Sequence, residues 1–274
     1  MTKLVAQEFH ERERFQDDEN ERSRTICTSS EFEELLEALL PCKFATSNCK
    51  SKRKEMKYVF FDFDGTISNT YEGCARILKK TFDKYGVDMD ESNYSKFIGP
   101  PLSETFIKYI GKDIAYEAVQ YFRKLYVGEK AIYMSKLYDG VAQMLSQCHD
   151  MKGVKTGVAT CKKHEEAVHL LEYFGVKDDI DYVSGLVYNQ RETKAEVLQY
   201  ALDNLGITAK DCVMVGDTIY DVEGAEELGM DCILCLWGFG DYDNINNKNV
   251  IYRAKTPYDV IEYARLNFAD KDEL

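Results

Sequence analysis

Asp62-Phe63-Asp64-Gly65-Thr66 follows the apolar run Tyr58-Val59-Phe60-Phe61. Such a run is expected of a strand buried on both faces in a parallel sheet. Residues i and i+2 of a strand point the same way, so Asp62 and Asp64 can face one site while Phe63 turns to the core. Gly65 then lets the chain turn away. Buried carboxylates without partners are costly, so two at a strand end need a reason. Capping of local turn amides is the plain one. Three further positions make that plain reading poor. Thr160 ends the run Val154 to Ala159, and Lys194 opens a helical pattern after the run Tyr182 to Val187. Gly216-Asp217 follows Cys212 to Val215, with Asp221 four residues on at a helix start. In a parallel sheet these strand ends share one edge. That edge would then carry a nucleophilic carboxylate, a second carboxylate, a hydroxyl, an ammonium and two more acids.

The elements that must position these groups are also legible. Cys232 to Trp237 reads as another short strand. Helical patterns cover Lys162 to Phe174, Glu192 to Leu205, Ile219 to Leu228 and Pro257 to Phe268, the last with Thr256 as N-cap and Pro257 at the first helical position. Alternating strand and helix predicts an α/β, doubly wound parallel sheet. About 90 residues separate the first strand from the second, far more than one crossover helix requires. One helix, Asp139 to Cys148, precedes the second strand. The surplus is helix-patterned at Cys74 to Tyr85, Leu102 to Ile110 and Ile114 to Val127, broken by Gly99-Pro100-Pro101. Residues 72–136 are therefore expected to be a helical module inserted into a core made of 57–71 and 137–274, placed where a lid would sit. Residues 1–56 read as an extension with one amphipathic helix. Ser30 and Glu33 form a capping box, and Phe32, Leu35, Leu36, Leu39 and Leu40 make one apolar face that Pro41 ends. The basic run Lys50 to Lys57 reads as a linker.

Composition narrows the function classes. The chain has 274 residues, 45% of them hydrophobic, and a net charge of −13. The apolar content argues against wholesale disorder. The acidic balance argues against a non-specific nucleic-acid binder, and no nucleic-acid partner is expected. No apolar run approaches the ~20 residues of a membrane-spanning helix, so no membrane partner is expected either. The charged amino terminus does not resemble a secretory signal. Nine cysteines at irregular spacing then suggest free thiols in a reducing compartment, and a cytoplasmic location is expected. The final Lys271-Asp272-Glu273-Leu274 spells an endoplasmic-reticulum retention address, read here as a coincidental charge run.

Taken together, Asp62-Phe63-Asp64-Gly65-Thr66, Thr160, Lys194 and Gly216-Asp217-Thr218-Ile219-Tyr220-Asp221 resemble the haloacid-dehalogenase superfamily of phosphatases, in the subgroup with a helical cap. The likeness covers about Lys57 to Phe268. Phe97-Ile98-Gly99-Pro100-Pro101-Leu102 and Arg191-Glu192-Thr193-Lys194-Ala195-Glu196 look closest to the phosphoglycolate-phosphatase-like branch. The resemblance implies a Rossmann-like core and a set of roles. Asp62 would attack phosphorus and form an aspartyl-phosphate. Asp64 would protonate the leaving oxygen and then deprotonate water. Mg²⁺, a hard cation suited to oxygen ligands, would be held by Asp62, the Asp64 carbonyl, Asp217 and Asp221. Lys194, Thr160 and the amide of Cys161 would hold phosphate, with Gly65 and Thr66 of the first loop beside it. The family commonly has Ser or Asn where this chain has Cys161; an amide donor survives that change.

The implied partner is a small phosphorylated metabolite, acted on by a monomer or homodimer. Two other readings stay open: a phosphomutase of the β-phosphoglucomutase type, and a regulatory or scaffold protein that uses the extension. Other signals are weak. Cys232 and Cys235 lie in an apolar strand, where odd spacing sends them to opposite faces. Cys27, Cys42, Cys49 and His10 lack zinc-ligand spacing. His164 and His169 do not share a helix face, and Tyr109 and Phe122 read as core.

Overall fold

The computed structural model describes residues 56–270. The expected amphipathic helix before Pro41, the basic run up to Lys54 and the Lys-Asp-Glu-Leu tail lie outside these residues. Six parallel strands form one sheet in the order β5-β4-β1-β6-β7-β8. They are β1 (Lys57–Phe61), β4 (Val154–Lys163), β5 (Tyr182–Leu186), β6 (Cys212–Gly216), β7 (Asp231–Cys235) and β8 (Val250–Ala254). A two-stranded antiparallel ribbon, β2 (Ser68–Asn69) with β3 (Lys136–Leu137), carries the chain into and out of the helical insertion. Helices α4 (Val141–Asp150), α5 (His164–Tyr173), α6 (Lys194–Leu205), α7 (Ile219–Glu227) and α8 (Pro257–Asn267) flank the sheet. Among the described residues no helix is long and apolar enough to cross a membrane.

Strand alternation sorts the core into two layers. Val59, Phe61, Val158, Val213, Val215, Ile233 and Cys235 join one buried cluster with Met144, Leu170 and Ile261 of α4, α5 and α8. Phe60, Ala159, Cys212, Met214, Cys232 and Leu234 join the other with Val197 and Val222 of α6 and α7. Full burial of side chains such as Phe60 and Phe61 contributes about 1.5–3 kcal/mol each, which fixes the register of the central strand. Cys232 and Cys235 fall in opposite layers as expected, both fully buried.

Between β2 and β3 lie α1 (Tyr71–Lys84), α2 (Leu102–Tyr109) and α3 (Lys112–Gly128), with two 3₁₀ turns, Glu91–Phe97 and Ala131–Met134. Phe82 is their hub, in ring contact with Tyr94, Phe97, Phe106 and Tyr109. Phe122 is buried, but Tyr109 keeps 36% of its surface exposed and is not a core residue.

Two local differences from the pattern matter. The helical pattern starting at Lys162 begins at His164 instead, because β4 runs on through Lys163. β8 is missing from the sequence reading; its alternating half-buried and exposed residues carry little apolar signal at a sheet edge.

Candidate active site

Leaving β1, the chain goes to β4 on one side, then returns to β6 on the other. This reversal beside β1 opens a crevice at the carboxyl ends of the strands. Asp62 donates its amide to the Val215 carbonyl at 2.9 Å, so β6 still holds it just after β1 ends. Its carboxylate accepts from Lys194 Nζ at 2.6 Å. Lys194 is the first residue of α6, and Thr193 and Glu196 cap that helix reciprocally. The ammonium also donates to the Ala159 carbonyl at 2.9 Å and lies 2.7 Å from Asp221 Oδ1. Asp221 sits in the first turn of α7, where its other oxygen accepts from the Thr218 amide at 3.0 Å and hydroxyl at 2.9 Å. Asp217 accepts from the Thr66 hydroxyl at 3.1 Å and the Phe239 amide at 2.7 Å.

Asp62, Asp217 and Asp221 each place a carboxylate oxygen within 4.8 Å of the others, and all three are buried. Lys194 is the buried cation among them. Burial and the neighbouring acids push Asp62 up to about 7 despite Lys194. Asp217 is raised well above the usual carboxylate range by burial, then by Asp221 and Asp62. Burial opposes the charge on Lys194, yet Asp221 and Asp62 outweigh it and raise its pKa. Three acids against one ammonium leave the cluster short of positive charge. Hard oxygen donors in a negative, buried setting fit a hard divalent cation.

Asp64 belongs to a second pair. β1 ends at Phe61, so the two-residue alternation does not extend through the loop. Phe63 is fully buried, as expected, but Asp64 is held by a different lysine. Lys162 Nζ brackets its carboxylate at 3.0 and 3.3 Å. Lys162 is itself buried, with its ammonium 5.4 Å from the Phe63 ring centroid and 5.3 Å from that of Tyr126 on α3. Sequence reasoning missed this lysine by assigning it to a helix. The signal was available: a cation two residues beyond the candidate hydroxyl Thr160.

Thr160 is buried, and its Oγ1 accepts from the Lys162 amide at 3.1 Å. The β4–β5 register slips between Thr160 and Lys163, taking Cys161 and Lys162 out of the regular ladder. Burial pushes the Cys161 thiol up to about 12, so it stays neutral although the residue is only half-buried overall. The donors of Gly65 and Thr66, expected beside the phosphate, are engaged within the protein: the Gly65 amide donates to the Ser68 carbonyl at 2.9 Å, and the Thr66 hydroxyl donates to Asp217. These bonds shape the loop. Gly65 has φ +94°, and a Cβ there would lie 2.2 Å from Asp217 Oδ2. Trp237, also missed, donates Nε1 to the Thr66 carbonyl at 3.0 Å and ties the segment after β7 to this loop. Elsewhere, His169 contacts Tyr133 at 2.8 Å, away from the cluster.

A central strand ending in an acid pair, with a hydroxyl, a lysine and further acids on three neighbouring elements, defines a phosphoryl-handling α/β hydrolase. The haloacid dehalogenase-like hydrolase family matches residues 59–235, and the chain belongs to this family. It is 30% identical over 202 residues to tyrosine-protein kinase PtkA of Mycobacterium tuberculosis, covering 72% of this chain and 69% of that protein. A 5′-nucleotidase of Pseudomonas aeruginosa is 30% identical over 190 residues, covering 68% of this chain and 86% of that one. Among solved structures, a predicted phosphatase from Clostridium acetobutylicum superposes with a TM-score of 0.71 at 32% identity, covering 76% of this chain and 97% of that one.

Proposed function

We propose that this protein is a Mg²⁺-dependent phosphatase that hydrolyses a small-molecule phosphomonoester through an aspartyl-phosphate on Asp62. One observation carries the reading: three buried carboxylates converge at the sheet edge, two of them paired with Lys194, with Asp64 on the loop after β1. The relatives' names, a kinase, a nucleotidase and a phosphatase, all describe movement of a phosphoryl group. Asp62, Asp217, Asp221 and the Asp64 carbonyl would hold Mg²⁺. When bound, the ion supplies the positive charge that lets a phosphate enter this acidic pocket.

Lys194 fixes the Asp62 carboxylate in one orientation, and a divalent cation beside it would hold it ionised, so that only alignment is needed for it to act as nucleophile. An Asp62 oxygen bonds to phosphorus as the bond from phosphorus to the ester oxygen breaks. Asp64 gives its proton to that departing oxygen. In the second half, Asp64 takes a proton from water as the water oxygen attacks phosphorus, releasing phosphate and the free Asp62 carboxylate. Thr160 and the Cys161 amide, at the slipped end of β4, steady the phosphoryl oxygens. The helical insertion covers this edge and excludes bulk water during the transfer.

The test is p-nitrophenyl phosphate hydrolysis with Mg²⁺, with EDTA, and by Asp62→Asn. Turnover is expected only from the unaltered protein with Mg²⁺, with a loss of at least about 10³-fold for the variant. Equal turnover in all three would reject the mechanism. Phosphorus NMR of the product separates free phosphate from an isomerised sugar phosphate.

A further inference from the structure

Two cavities share the insertion's loop residues Ile98 and Pro100. The smaller, about 60 Å³, includes Asp64 and belongs to the site already described. The larger, about 310 Å³, is lined by none of Asp62, Asp64, Asp217, Asp221 and Lys194, so what fills it is not the reacting group. That volume lies in the range of small-molecule sites. Its floor is apolar: Ile219 and Tyr220 of α7, with Phe239 and Ile245 from the segment between β7 and β8, join the two loop residues. Two exposed opposite charges stand in the lining, Lys96 from the insertion and Asp241 from the core. Neither has a charged partner among the described residues: Lys96 Nζ donates to the neutral Asn93 Oδ1 at 2.8 Å, and Asp241 accepts from Asn244 Nδ2 at 2.6 Å. Lys96 keeps two more N–H donors and Asp241 a second oxygen. The walls also belong to the acid cluster. The Phe239 amide holds Asp217 at 2.7 Å, and Thr218, which lines the cavity, holds Asp221 through its amide and hydroxyl. Gly99 comes so close that a Cβ there would lie 2.9 Å from Thr218 Cγ2. A molecule seated in the cavity therefore touches the insertion and the loops that hold the acids at once.

We propose that this larger cavity is a regulatory site for a free apolar α-amino acid, with the side chain on the apolar floor, the carboxylate at Lys96 and the ammonium at Asp241. Charge complementarity selects that class. An apolar body satisfies the floor, and a head carrying both charges pairs a cation and an anion that make no ion pair with each other. A residue inside a peptide chain offers the same side chain but neither charge. Because the occupant bears on Thr218 and Phe239, its binding is coupled to metal binding at Asp217 and Asp221, and the coupling is reciprocal. The site stands on the cavity and its lining, independently of the phosphatase reading.

The experiment is calorimetric titration of the full chain with L-leucine, L-phenylalanine, L-phenylalaninamide (no carboxylate), 3-phenylpropionate (no ammonium) and N-acetyl-L-phenylalaninamide (neither charge). L-leucine or L-phenylalanine is expected to bind with a Kd of about 1 mM or tighter, and each phenylalanine analogue at least about fivefold more weakly than L-phenylalanine, the worth of one exposed ion pair. Lys96→Met should erase the preference for L-phenylalanine over the amide while keeping that over 3-phenylpropionate, and Asp241→Asn should do the reverse. That crossed pattern is one that general damage to the fold does not produce. Mg²⁺ titrated with and without the saturating amino acid should change in affinity by at least about fivefold. Heat from neither amino acid, or affinities that both variants leave unchanged, overturns the site. Equal binding of N-acetyl-L-phenylalaninamide overturns it in favour of a peptide segment. An unchanged Mg²⁺ affinity overturns the regulatory role. None of these readouts needs turnover, so loss of p-nitrophenyl phosphate hydrolysis would refute the phosphatase reading and leave this test standing.

Discussion

Removing divalent metal should make the stability of this protein fall as pH rises, and the site shows by how much. Asp62 is buried beside Asp221 and Asp217, and its pKa rises from an ordinary 3.8 to about 7. An unfolded Asp releases its proton near its ordinary value, whereas the native one keeps it until about neutral pH. Between those values the native state holds the extra proton, so unfolding becomes easier as pH increases. From pH 5 to pH 8 the cost attributable to Asp62 grows by about 3 kcal/mol. Asp217 is shifted in the same direction by burial and the same neighbours and adds to the slope. Urea unfolding followed by circular dichroism, in EDTA at half-unit pH steps, reads this out. Asp62→Asn carries no titrating carboxylate, so its slope should be shallower by that amount, and at pH 8 it should match or exceed the unaltered protein. Millimolar Mg²⁺ should restore more stability at pH 8 than at pH 5, because protons compete with the cation for the same oxygens. If the two proteins share one slope in EDTA, Asp62 does not carry the strain assigned to it and the electrostatic reasoning fails.

Lys194→Met removes the buried ammonium and leaves three acids to repel one another; in EDTA it should lose about 3–5 kcal/mol by urea unfolding at pH 8, and less with Mg²⁺ present. Gly65→Ala places a methyl against Asp217 at a positive φ, so kcat should fall by at least about tenfold while circular dichroism stays native. Trp237→Phe loses the bond to the Thr66 carbonyl, the tie beside Asp217. Metal affinity measured by calorimetry should fall about 3- to 10-fold, and unchanged affinity would show that the tie is only structural.

The centre of the sheet was legible because β1 and β6 are short, nearly continuous apolar runs. Val59 to Phe61 and Cys212 to Val215 are buried on both faces and advertise it. β8 was not, since Val250 to Ala254 is covered on one side only and lies at the edge. The acids and Lys194 were legible because each ends a strand or opens a helix that could itself be recognised. Lys162 was hidden by a boundary. Nothing in Cys161-Lys162-Lys163-His164 marks where the strand stops, and a lysine is rarely buried unless it is paired, a partner that the sequence alone does not show. Trp237 and the Phe239 amide were hidden for another reason. They act through a loop and a backbone donor, and their targets, the Thr66 carbonyl for Trp237 and the Asp217 carboxylate for the Phe239 amide, lie far off in sequence, beyond any local spacing rule.

Asp62 and Asp64, two residues apart, answer to different lysines, and this division has a mechanical consequence. Asp62 is held by Lys194 from α6 and through β6, both parts of the sheet layer that packs as one core. Asp64 is held by Lys162, whose ammonium also faces the Tyr126 ring on α3 of the insertion. On the proposed mechanism the nucleophile is therefore fixed with the metal-fitting cluster, while the proton donor borders the cavity beneath the insertion. Discrimination between leaving groups would then fall on the Asp64 side of the reaction, where the leaving oxygen departs.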